Sequence, residues 1–82
     1  MKRIGVSENV SGEYAGERIS LKAGDYVAKP VRLGYAVPGR DVARNPVVSY
    51  ILEDEGTRRA TQGIAAEAFE ELRRLGLIVV KE

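Results

Sequence analysis

The residues best equipped for chemistry in this chain are carboxylates, and three of them run together as Glu53-Asp54-Glu55. Paired carboxylates do acid–base work when their surroundings push their pKa values apart. A carboxylate set can also hold Ca²⁺ or Mg²⁺. Here the run abuts Gly56 and matches no calcium-loop spacing, so it reads as a solvated turn. Ser7, Ser11, Ser20 and Ser49 have no neighbouring base to activate a hydroxyl. Histidine and cysteine are both absent. Thiol nucleophiles, imidazole bases, zinc fingers and disulfides are thereby excluded. The expectation is a protein that is not an enzyme and carries no cofactor and no metal.

Cations offer the alternative chemistry, which is binding. Arg58-Arg59 and Arg73-Arg74 flank a helical stretch rich in acids, and local ion pairs to Glu55, Glu70 and Glu71 account for them. Lys29, Arg32, Arg40 and Arg44 are more suggestive, because they surround Tyr35 and a Pro/Gly-rich bend. Residues 1–40 hold seven bases against four acids, and residues 41–82 hold six against eight. A basic strand face with an aromatic could bind single-stranded nucleic acid through phosphate contact and stacking. The net charge of the whole chain is only +1, which excludes a simple polycation. A positive half and a negative half on one small domain also suit self-association.

Short strands must position these groups in the first half. Lys2 to Val6 opens as a strand, residues 7–17 read as a loop or irregular hairpin, and Arg18 to Lys22 alternates polar and apolar. Ala23-Gly24-Asp25 marks a turn before Tyr26 to Lys29. Val31 to Val37 alternates again, with Pro30 consigned to an edge or bulge. Residues 38–46 carry two prolines and two arginines and read as an exposed loop. Residues 47–52 are ambiguous: Val, Tyr and Ile favour a strand, whereas Asn45-Pro46 would suit a helix start. The acids at 53–55 oppose a helix dipole there, so a strand is expected.

The second half holds one amphipathic helix, from a Thr61 cap to Leu75, with Ile64, Ala68, Phe69, Leu72 and Leu75 on one stripe. Glu70 and Arg74 stand four apart in the favourable order. Gly76 stops the helix, and Leu77 to Val80 follows as a strand buried on both faces. A strand–helix–strand crossover would place residues 47–52 parallel to 77–80. The expected core is Ile4, Val6, Ile19, Leu21, Val27, Leu33, Ile51, Ile64, Phe69, Leu72, Leu77, Ile78 and Val79.

Two local stretches resemble known families. Leu72-Arg73-Arg74-Leu75-Gly76-Leu77-Ile78-Val79-Val80 resembles the end of a winged-helix domain, where the recognition helix runs into the first wing strand. The two helices that should precede it have no room, and Glu67, Glu70 and Glu71 would repel phosphate. Leu21-Lys22-Ala23-Gly24-Asp25-Tyr26-Val27 is similar to a turn of cupins and small β-barrels. Cupin metal chemistry needs histidines this chain lacks, so only a tight hairpin carries over.

Eighty-two residues make one small α+β domain: a mostly antiparallel sheet, an amphipathic C-terminal helix and a final strand. No apolar run approaches a membrane span, and a cytoplasmic setting is the default. Scarce Asn, Gln and Met beside many charges fit a heat-adapted protein. The function expected is a non-catalytic interaction module, self-associating or docking on a larger assembly. Its contact residues would be Lys29, Arg32, Tyr35, Arg40 and Arg44. The competing expectation is a nucleic-acid-binding accessory protein using the same surface.

Overall fold

The computed structural model describes residues 1–34 and 45–81, and alternation along its strands decides what each side chain meets. Among these residues the elements are β1 (Lys2–Val6), β2 (Val10–Tyr14), β3 (Glu17–Leu21), β4 (Gly24–Arg32), β5 (Val47–Asp54), β6 (Ala60–Ala65), α1 (Ala66–Arg74) and β7 (Ile78–Val80). Five strands form one antiparallel sheet in the order β6-β5-β4-β1-β7, and β2 and β3 pair separately. The fold is α+β, as the residue pattern implies.

One face of the sheet is the core. Ile4 lies opposite Tyr26, Val6 opposite Ile78, Ala28 opposite Leu52 and Tyr50 opposite Ile64, and all eight are buried. α1 lays Ala68, Phe69 and Leu72 on that face, and the β2–β3 hairpin adds Val10, Ile19 and Leu21. Each fully buried apolar side chain stabilises by about 1.5–3 kcal/mol. The Tyr50 and Phe69 rings meet with centroids 4.3 Å apart, tilted by 30°. The Lys2 ammonium closes the end of this stack, 5.6 Å from one centroid and 5.8 Å from the other.

Several local expectations change. Residues 10–21 form a regular hairpin closed by Ala15-Gly16, both at positive φ (50° and 77°). Such a two-residue turn matches strand twist, and alanine holds its place there against a steric cost. Tyr14 packs against the core, and its ring lies over Gly12. Pro30 sits inside β4, but only β5 flanks it, because the β1 pairing ends at Lys2 opposite Ala28. Its missing N–H therefore breaks no ladder.

Thr61 does not cap a helix. It lies in β6, where its hydroxyl donates to the Leu52 carbonyl at 3.0 Å. Pairing with β5 takes residues 60–65 into the sheet, and α1 starts only at Ala66. Ile64 fits a helical stripe and a strand equally well, and tertiary pairing decides between them. Ala65 at the helix entry offers no side-chain cap; Glu17 Oε1 accepts the Ala65 N–H at 3.1 Å instead.

The parallel pairing of residues 47–52 with 77–80 is not formed. β5 and β7 are separated by β4 and β1 and run antiparallel; the helical crossover joins β6 to β7, at opposite edges. β7 is an edge strand that buries Ile78 but leaves Val79 55% exposed, so it is covered on one face only. Ile51, also expected in the core, points to the open face at 38% exposure, while its neighbours Tyr50 and Leu52 point inward. Leu33 and Leu77 are half-buried.

Candidate binding surfaces

No element among the described residues covers the second face of the five-stranded sheet. Register places Val79, Gly5 and Asp25 in one row and Arg3, Val27 and Glu53 in the next. Lys29, Ile51 and Gly63 form a third. The charges on this face pair among themselves. Lys29 Nζ lies 2.7 Å from Glu53 Oε2, and Arg3 Nη2 donates to Glu55 Oε1 at 2.9 Å. Lys81 donates to Asp25 across Gly5, whose missing side chain leaves room for the lysine stem. Three cations thus meet three carboxylates, with Val27, Ile51 and Val79 between them. Among the described side chains, Glu55 Oε2 is the one buried polar atom without a hydrogen-bond partner.

Of the expected contact residues, Lys29 stands on this open face but is neutralised by Glu53. Arg32 Nη1 donates to the Asn45 carbonyl at 2.8 Å. Asn45, expected in an exposed loop, is only 6% exposed. Its amide donates to the Leu33 carbonyl at 2.9 Å, and Leu33 N–H donates to the Pro46 carbonyl at 3.1 Å. These bonds clamp the two ends of the connection between β4 and β5. Tyr35, Arg40 and Arg44 lie outside the described residues, as does the loop segment 38–44.

The helix-end arginines pair locally, Arg73 with Glu70 at 3.1 Å and Arg74 with Glu71, each three residues apart rather than four. Arg58 and Arg59 do not follow that pattern, because Glu55 is bonded to Arg3 instead. Among the described residues, Arg18, Lys22, Arg58 and Arg59 contact no carboxylate.

Of these, Lys22 lines a cleft that sequence reasoning missed. It lies where the β3–β4 turn meets the end of the β5–β6 hairpin, encloses about 460 Å³, and is lined by Ser20, Lys22, Tyr26, Asp54 and Thr61, among others. Asp54 organises the hairpin turn: its Oδ1 accepts the N–H groups of Gly56 and Thr57 at 2.9 and 3.0 Å. Arg58 closes that turn at φ 62° and donates its N–H to the Asp54 carbonyl at 2.7 Å. The buried Tyr26 hydroxyl donates to the Lys22 carbonyl at 2.6 Å. Burial, then the Asp54 charge, raise the phenol above its ordinary 10.0.

No helix among the described residues is long and apolar enough to cross a membrane. Compared with protein-family models, curated proteins and solved structures, the chain finds no significant match in any of the three.

Proposed function

We propose that this chain is a non-catalytic interaction module that self-associates through the open face of its sheet. The observation that carries the reading is the internal pairing of Arg3, Lys29 and Lys81 with Glu55, Glu53 and Asp25. A face whose cations are already balanced offers little to a phosphate backbone, which rewards net positive charge. Neutral charge interspersed with exposed Val79 and Ile51 suits a protein surface. A second copy fits best, because a patch that carries both signs can set its cations against its own carboxylates about a two-fold axis.

Strand spacing bounds the contact. Five strands at about 4.8 Å, each about 17–20 Å long, give about 400–500 Å² per copy. The total falls below the roughly 1,200–2,000 Å² of stable interfaces, so the association is weak and concentration-dependent. Docking on a larger assembly would use the same face. The nucleic-acid reading, built on Lys29, Arg32, Arg40 and Arg44, loses the charge of Lys29 to Glu53.

Light scattering after size exclusion separates the readings, run over a range of protein concentrations at low and high salt, with and without a mixed-sequence oligonucleotide. The expected result is a dimer at high concentration that ignores the oligonucleotide, and a monomer at every concentration for Val79→Lys. A monomeric parent that shifts only with oligonucleotide at low salt overturns the proposal.

A further inference from the structure

The two edges of the five-stranded sheet differ. β6, at one edge, lies beside the β2–β3 hairpin: the Gln62 side chain bonds the β3 backbone, and Glu17 accepts the Ala65 N–H. β7, at the other edge, has β1 on one side, and no hydrogen bond reaches its outer side among the described residues. Ladder parity tells which of its backbone groups are left over. The Lys81 N–H donates to the Arg3 carbonyl at 2.8 Å, so these two residues form a hydrogen-bonded pair. Such pairs alternate with non-bonded ones along an antiparallel ladder. Val79 opposite Gly5 is therefore the next bonded pair. Ile78 and Val80, opposite Val6 and Ile4, turn their N–H and C=O groups outward.

Only shortness blunts this edge. Ile78-Val79-Val80 holds no proline, no charge and no bulge, the devices that keep edge strands from pairing with other chains. The neighbouring helix also outruns the sheet. α1 crosses from β6 to β7, and Leu75 follows Leu72 by three residues on its apolar side. Leu72 is fully buried, whereas Leu75 is 54% exposed. Apolar side chains are thus left uncovered both in β7, at Val79, and in the helix end that leads into it.

We propose that β7 pairs with β7 of a second copy, antiparallel about a two-fold axis between the two Val79 residues, joining the two sheets edge to edge. The outward groups fix this register. Centred on Val79, Ile78 lies opposite the partner's Val80 and exchanges two hydrogen bonds with it, so every outward N–H and C=O of β7 is satisfied. Moving the axis to Ile78 would set Val80 against Gly76, whose N–H is already given to the Arg73 carbonyl at 3.1 Å. The Val79 side chains meet in the close, non-bonded position on the open face. The axis keeps both helices on one side of the joined sheet, with Leu75 beside the seam. A second copy is favoured over a foreign strand because the bonding pattern is its own complement. The pairing uses an edge and does not rest on association through the open face.

Amide hydrogen exchange of the ¹⁵N-labelled full chain, at micromolar and at millimolar concentration, tests the pairing on the unaltered protein. The expected result is about tenfold slower exchange at Ile78 and Val80 in the concentrated sample. Ile51→Lys disables the open face and keeps this protection. Val80→Pro removes an N–H that no bond within the chain uses; added to Ile51→Lys, it leaves a monomer by light scattering at every concentration. Fast exchange at both amides in a sample that scatters as a dimer overturns the edge pairing and leaves the open-face reading standing. A monomer at millimolar concentration overturns both. Slow exchange at both amides, with Ile51→Lys associating as the parent does, upholds the edge pairing and overturns the open-face reading. Protection gained only from an added extended apolar peptide transfers the edge to a foreign strand and overturns pairing between copies.

Discussion

Tyr26 shows how one buried hydroxyl links stability to pH. Its phenol is nearly fully buried, donates to Lys22, and lies opposite Asp54 in the β4–β5 register. Ionising it would bury a negative charge, break that bond and set two negative groups together. Burial and the Asp54 charge therefore raise its pKa above 10.0 in the fold. An unfolded chain loses this proton first, near the ordinary value. Above that pH the native state binds more protons than the unfolded state, so stability falls as pH rises toward the folded pKa. Below about pH 10 the contribution is fully present. Tyr26→Phe loses about 1 kcal/mol at neutral pH with its hydrogen bond, but its alkaline decline is shallower than the parent's. Urea midpoints at neutral pH and about pH 10.5 compare the two slopes; parallel declines refute the assignment.

At the scale of elements, the β2–β3 hairpin is joined to the sheet by a side chain acting as a strand. Gln62 Nε2 donates to the Arg18 carbonyl at 3.1 Å, and its Oε1 accepts the Ser20 N–H at 3.2 Å. The outer edge of β3 is thereby paired without a neighbouring backbone, which also blunts an exposed edge. Gln62→Leu keeps the apolar stem but removes both bonds. The expected loss is about 1–2 kcal/mol, with faster hydrogen exchange at the Ser20 amide than at amides of β1 and β4. Unchanged Ser20 protection would show that apolar contacts alone seat the hairpin. The same segment explains why the helix start is misplaced by spacing. Thr61, Gln62 and Ile64 satisfy the cap and stripe of a helix locally, and only their partners Leu52, Ser20 and Tyr50 make them a strand. Alternation reveals β3, and β-branched and aromatic residues reveal β5, because one-sided burial and strand preference leave a local trace. Pairing across forty residues leaves none.

The whole molecule is closed by its first and last strands. β1 is an interior strand, with β4 on one side and β7 on the other, and the Lys81 N–H extends that contact by donating to the Arg3 carbonyl at 2.8 Å. Apolar residues 77–80 announce a strand, but nothing in them names β1 as the partner; proximity in sequence points to β5 instead. The binding surfaces are legible to the same limited extent. Alternation places Lys29 on a strand face, as the structure does, yet its neutralisation by Glu53 arises from tertiary register. Edge position also decides which β7 residues matter. Ile78 is 1% exposed and lies opposite Val6, so Ile78→Ala opens a cavity and costs about 2–5 kcal/mol. A domain of this size has only about 4–12 kcal/mol to lose. Val79 points to the open face, and Val79→Ala costs less than about 1 kcal/mol. A continuous apolar strand buried on both faces would make the two losses comparable. Chemical unfolding of both variants in dilute solution, where self-association is negligible, measures the difference, and equal losses would refute the one-faced register of β7.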